Sequence, residues 1–206
     1  MRIVTTATLL LLIQALVFAE DQDSPWVVRV LPGQEGWHWA QAHRINNRGQ
    51  ILGMYGAPRY EDHRAIVWEG DTWYDIGVRC GQPEGWAVTG ASSITDNGLV
   101  AGYVADQWGV GPYLVVVWDL DSRTWEAAQP VVEGFQRAFL TDMNESGQAV
   151  GYLFVSEEWR SRAYRWDHQG RTTHLLPLPH GIEESLAGRI NEDGWIVGSV
   201  GNFDYE

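Results

Sequence analysis

The chain has 206 residues, 27 acidic and 14 basic, with a formal net charge of -13, and a surface of that sign repels phosphate backbones, so nucleic acid is not an expected partner. All 14 basic residues are arginine, and without lysine there is no Schiff-base or Ser-Lys chemistry. The one cysteine, Cys80, excludes an internal disulfide; it is either buried and inert or available for an intermolecular bridge, and burial is expected for a free cysteine.

At the N-terminus, Met1-Arg2 leads into an apolar run from Ala7 to Ala19, interrupted only by Thr8 and Gln14. That run of 13 residues is too short to cross a bilayer, and Val17-Phe18-Ala19 has small residues where a signal peptidase reads. Residues 1–19 are read as a secretory signal, with a short membrane anchor as the alternative; no cysteine follows to support a lipoprotein. The expected location is therefore secreted or extracytoplasmic, with no membrane span after signal removal. Residues 20–206, 187 in number (206 minus 19), are enough for a single domain with a substantial core.

One short phrase then occurs four times: Ile45-Asn-Asn-Arg-Gly49-Gln-Ile-Leu-Gly53, Ile94-Thr-Asp-Asn-Gly98-Leu-Val-Ala-Gly102, Met143-Asn-Glu-Ser-Gly147-Gln-Ala-Val-Gly151 and Ile190-Asn-Glu-Asp-Gly194-Trp-Ile-Val-Gly198. The first glycines lie 49, 49 and 47 residues apart. A turn of polar residues closed by glycine between two apolar segments is hairpin chemistry, because glycine accepts positive φ and Asn or Asp bonds the local backbone. Upstream stand Gly36-Trp37, Gly85-Trp86, Gly134-Phe135 and Gly181-Ile182, and six residues after each glycine comes Ala42, Ala91, Leu140 or Ala187. Downstream, strand-like segments end in tryptophan at Trp68, Trp118 and Trp166, followed by a polar turn and another short run, Trp73–Ile76, Thr124–Glu126 or Thr173–Leu178. These tryptophans, with Trp37 and Trp86, are expected in the core.

Four short strands per 47–49 residues, with no useful stretch of helical periodicity, predict an all-β fold: a propeller-like array of about four antiparallel blade repeats. Their cores lie near 36–77, 85–126, 134–178 and 181–206, the last incomplete. A β-sandwich also has many short strands, but it does not require the same residues at one interval. The pattern Ala-x-x-Ile-Asn-x-x-Gly-x-Ile-Val-Gly followed by Ala-x-x-Trp resembles the HAF family of extracellular repeat proteins, found largely in bacteria. Copies run across residues 26–206. The resemblance implies a secreted or surface-associated β-propeller-like protein and supplies no catalytic residues.

The array departs from regularity at both ends. The fourth copy's Trp-ending strand is expected near residue 213, beyond Glu206, and Trp26–Leu31 resembles the fourth strand of a blade. The expectations are a four-bladed ring with a reduced last blade, an open array completed by self-association, or a truncated product.

Twelve tryptophans invite a binding role, since flat ligands and sugars stack on aromatic faces. Tyr60, Trp108, Trp159 and Phe203 fall five to eight residues after a second glycine, among polar residues that include Asp106 and Glu157. In a radial array these loops share one face. Their aromatics would bind an extracellular polysaccharide, with Asp106 and Glu157 accepting sugar hydroxyls; the structural alternative has them covering blade edges. Asn191-Glu-Asp193-Gly194 and Thr95-Asp96-Asn97-Gly98 lack the carboxylate alternation of calcium loops, and the six histidines lack ligand spacing, so no metal or other cofactor is expected. No nucleophile elbow or phosphate loop is present. The expected function is a non-enzymatic binding or scaffold module; the alternatives are a propeller-type polysaccharide lyase or glycoside hydrolase, with Glu157 and Asp106 as the carboxylates, and a purely structural or protein-protein module.

Overall fold

The computed structural model describes residues 29–56, 63–106, 113–128, 137–155 and 160–202. Within them strand is the predominant secondary structure. The first repeat forms β1 (Trp39–Ile45), β2 (Gln50–Gly56), β3 (Arg64–Glu69) and β4 (Thr72–Asp75), the second β5 (Trp86–Ile94), β6 (Leu99–Asp106), β7 (Tyr113–Asp119) and β8 (Thr124–Ala127), and the third β9 (Arg137–Met143), β10 (Gln148–Val155), β11 (Arg160–Asp167) and β12 (Thr172–Leu175). Each of these is an antiparallel sheet in sequence order. The fourth repeat contributes the pair β13 (Glu184–Ile190) and β14 (Ile196–Gly201).

The repeated phrase folds as expected, with more in it than a turn. Asn46 N–H donates to the Gln50 carbonyl and Gly49 N–H to the Asn46 carbonyl, closing a three-residue loop in which Gly49 has φ +77°. The same two bonds recur at Thr95/Leu99, Asn144/Gln148 and Asn191/Trp195. A type I turn ending in a left-handed glycine is a standard way to join two strands, and it fixes the register. The second glycine answers a different need. Besides an extra residue in β5 at Ala87, each first strand carries one at His43, Ser92, Thr141 or Gly188, where the pairing register shifts. Opposite this bulge the backbones come so close that a Cβ on Gly53, Gly102, Gly151 or Gly198 would fall on a carbonyl oxygen of the partner strand.

Sheet packing follows the repeat. β5 lies on β2 and β3, β9 on β6 and β7, and β13 on β10 and β11. Each seam has its own apolar cluster: Leu52 and Cys80 with Ile94 and Trp118, Ala101 and Val117 with Met143 and Trp166, and Val150 and Ala163 with Ala187 and Ile190. Trp68, Trp118 and Trp166 are buried, and the indoles of the first two donate to the carbonyls of Pro32 and Gly81. Trp37 is buried too, whereas Trp86, expected in the core, is only half-buried beside the first seam.

Three expectations need correcting. Residues 29–31, the described end of Trp26–Leu31, form no strand; Leu31 instead packs on Trp37, Ile66 and Trp68. The run Thr173–Leu178 is strand only to Leu175, after which Pro177, lacking an N–H, cannot extend the ladder. The run Trp73–Ile76 is strand only to Asp75, because a single helical turn, α1 (Ile76–Cys80), follows β4, capped by the Asp75 carboxylate, which accepts from Val78 N–H at 3.0 Å. No helix among the described residues is long and apolar enough to cross a membrane. The segment read as a signal, residues 1–19, lies outside the described residues.

Cys80 ends α1 and is buried at the first seam, as expected, and burial pushes its thiol up to about 11. The thiolate is the reactive species, so at pH 8 a thiol-reactive dye is expected to label the folded protein very slowly and the urea-unfolded protein fully. Rapid labelling without denaturant would contradict this burial.

Candidate functional site

The meander fixes two ends for every sheet. The phrase turns and the turns between third and fourth strands emerge at one end; the connections between second and third strands emerge at the other. The two ends carry different chemistry.

At the turn end the polar side chains are spent on joining repeats. The amide of Asn46 donates to the Thr95 carbonyl at 2.9 Å and that of Asn144 to the Asn191 carbonyl at 3.0 Å. The backbone N–H of Asn47 donates to Asp96 and that of Asp96 to Glu145, both at 2.6 Å, and that of Glu145 donates to Glu192 at 3.0 Å. Each carboxylate thus caps the turn before it, a charge-assisted bond. Threonine at 95 has no amide to offer; its hydroxyl accepts from Leu99 N–H at 2.9 Å, and Asn97, two residues on, donates to the Glu145 carbonyl at 3.1 Å in its place. Arg48 adds a bidentate pair with Asp121 across the first seam, both bonds 3.0 Å, which holds the Asp121 carboxyl below its usual range. These carboxylates face backbone amides, and among the described residues there is no group of three or more metal-ligating side chains. His43 donates its Nε2–H to the Ala91 carbonyl, 3.0 Å away, and His168 pairs with Glu126.

At the loop end the side chains are aromatic. In the first repeat Trp37 stacks on Tyr55 with centroids 4.5 Å apart, and the ring of Trp73, which starts from the turn side of β4, meets Trp37 edge-on at 4.7 Å. A second row crosses the seam between the second and third repeats. Tyr103 of β6 meets Tyr113 of β7 at 5.2 Å, Tyr113 meets Phe139 of β9 at 5.6 Å, and Phe139 stacks on Tyr152 of β10 at 4.9 Å. The Arg137 guanidinium lies 5.7 Å from the Tyr113 ring centre. Gly90 lets the Tyr103 ring lie across the facing strand, since a Cβ there would collide with it. All four rings of the row are half-buried, and burial raises the Tyr152 phenol. Faces of this kind, with phenols and an arginine at their edge, suit a ligand that is flat on one side and hydroxylated at its rim.

Of the residues singled out in the sequence, Tyr60, Trp108, Glu157, Trp159 and Phe203 lie outside the described residues. Asp106 is described in its backbone only, as the last residue of β6, opposite Trp86. Tyr60, Trp108 and Trp159 belong to the connections β2–β3, β6–β7 and β10–β11, whose strands are paired up to Tyr55/Arg64, Ala105/Tyr113 and Val155/Arg160. The aromatic row itself is not anticipated by the sequence reading. Its one sequence signal is a tyrosine directly after the second glycine in the second and third repeats, Gly102-Tyr103 and Gly151-Tyr152.

No protein-family model and none of the curated proteins matches the chain. Among solved structures it is similar to a GH74 xyloglucanase from Xanthomonas campestris, with TM-score 0.46 and 15% identity over 69% of this chain and 21% of that one. It is also similar to a puromycin-hydrolyzing peptidase of Mycobacterium tuberculosis, with TM-score 0.44 and 13% identity over 78% of this chain and 25% of that one. The chain spans about a fifth and a quarter of the lengths of these two proteins.

Proposed function

We propose that this chain is a secreted or surface-displayed, non-enzymatic repeat module of the HAF type, propeller-like in arrangement, that binds extracellular polysaccharide along the loop end of its sheets. The observation that carries the reading is the row Tyr103–Tyr113–Phe139–Tyr152, four half-buried rings from two successive sheets, in the half of each sheet from which the β6–β7 and β10–β11 connections leave. The propeller-like arrangement is supported by the packing of each first strand on the middle strands of the preceding sheet. Trp108 and Trp159 supply further stacking surface from those connections, and Asp106 and Glu157 accept sugar hydroxyls. The turn end offers no comparable aromatic face, and at the interior seams its polar groups are engaged between repeats.

The test is a tryptophan-fluorescence titration of residues 20–206 against neutral and acidic polysaccharides, with and without calcium. A saturable change is expected with at least one polymer. Replacing Trp108 and Trp159 together by alanine is expected to abolish it while the circular dichroism stays unchanged, and Tyr113→Ala to weaken binding about tenfold, ~1.4 kcal/mol. If no polymer gives a response, the module binds protein or is structural. Release of reducing ends in the same mixtures would make it a lyase or hydrolase instead.

A further inference from the structure

The first and fourth repeats each present a surface that is covered at every interior seam. At those seams the first strand lays an apolar pair, Ala91 and Ile94, Leu140 and Met143 or Ala187 and Ile190, against Leu52, Ala101 or Val150 on the second strand of the preceding repeat. Ile94, Met143 and Ile190 are at most 8% exposed, and Leu52, Ala101 and Val150 are fully buried. The corresponding pair in the first repeat is Ala42 and Ile45, and Ile45 is 67% exposed. The corresponding receptor in the fourth repeat is Val197, 64% exposed, with Trp195 beside it at 76%. Among the described residues, the first repeat carries the inserting pair without a receptor and the fourth a receptor without an inserting pair.

The polar groups are divided in the same way. At the turn end of the first and third interior seams the earlier repeat donates, through an Asn amide and the backbone N–H after it, and the later repeat accepts, through a carbonyl and a side-chain oxygen. In the fourth repeat the donors, the Asn191 amide and Glu192 N–H, meet no acceptor among the described residues. In the first repeat the acceptors are the Asn46 carbonyl and the Asn47 side chain. Asn47 gives its amide N–H to Asp96 at 2.7 Å, which leaves its Oδ1 as an acceptor. Asparagine stands here where the other three repeats have Asp96, Glu145 and Glu192, so this acceptor adds no charge to a strongly acidic molecule.

We propose that a second copy of this chain docks head to tail, β1 of one copy lying on β14 of the other. Ala42 and Ile45 cover Val197 and Trp195, while Asn191 and Glu192 donate to Asn46 and Asn47. The occupant is a copy of the chain because the two surfaces match each other in apolar character, in hydrogen-bond sense and in repeat position, and neither is covered by another of the described residues. The contact is heterologous, so added copies leave the same two surfaces free until a ring closes or a filament grows.

The experiment uses the full chain in solution and measures mass by sedimentation velocity across a wide concentration range. The wild type is expected to associate with rising concentration. Ile45→Asp and Val197→Asp, both at exposed positions and checked for unchanged circular dichroism, are each expected to weaken association at least tenfold. An equimolar mixture of the two variants still holds one intact surface of each kind and is expected to form a dimer and nothing larger. A wild type that stays monomeric throughout, including one whose ends close on each other, would overturn the proposal. So would association that survives in both single variants, or a mixture that stays monomeric.

Discussion

Gly102→Ala is expected to destabilise the protein by about 3 kcal/mol or more, although it adds only one methyl group. The added carbon would fall on the Gly90 carbonyl oxygen and lie 2.8 Å from both Ala91 Cα and Trp118 Cζ3. Two of these three atoms are backbone in a paired strand, and the third belongs to a fully buried indole whose N–H is held by the Gly81 carbonyl. None is the free end of a flexible chain, so relief requires the β5–β6 ladder to part at its bulge. Gly98→Ala, four residues earlier, gives the comparison. There φ is +84° and the nearest atom is the flexible Arg48 Nη1 at 3.2 Å, so the cost is that of a left-handed alanine, ~1–2 kcal/mol. Urea unfolding of both variants separates the two roles of glycine: a larger loss at 98 than at 102 would refute the close-approach account.

Trp118→Ala is expected to cost about 3–5 kcal/mol, the range for emptying a large aromatic site in a core. Trp118 belongs to the second sheet yet packs with Leu52, Ile76 and Cys80 of the first repeat as well as with Val100 and Val116 of its own. Its loss therefore opens a seam as well as a core. In a repeat array stability divides into terms within repeats and terms between them, so the variant is expected to broaden the unfolding transition as well as lower its midpoint. Cys80 reports on the same place. Its rate of labelling at intermediate urea should rise in the variant before the far-ultraviolet signal falls; simultaneous loss of both would show that the seam and the sheets melt as one unit.

The strands were legible because the phrase turn and the Trp-ending segment state their boundaries in residue types. Ile45, Gln50 and Trp68 lie at or next to strand ends, as their chemistry predicts. The bulges were legible in principle. Ala91 and Ile94 face the same seam but stand three apart, an odd spacing that a period of two allows only with one extra residue between them. The helix α1 left no signal because a single turn of five residues has no period to show. The aromatic row was hidden for a different reason. Tyr103, Tyr113, Phe139 and Tyr152 come from four strands of two sheets, and only the packing of β9 on the preceding sheet brings them together. The Asn and Asp residues of the phrase announce themselves as turn formers, but their second role between repeats depends on which turns are neighbours, which residue types do not state.

The exchange between Thr95 and Asn97 shows what natural variation is free to alter. What recurs along the turn end is a donor reaching the next repeat's carbonyl backbone, and either of two positions can hold it. Inheritance in such a chain therefore acts on junctions. A repeat that loses the asparagine at its second phrase position remains compatible with its successor as long as one appears two residues later. Repeats drifting in this way would come to look unrelated column by column while still fitting together. Positions 95 and 97 are thus expected to vary as a pair, and counts of identical residues would understate the kinship of the four units.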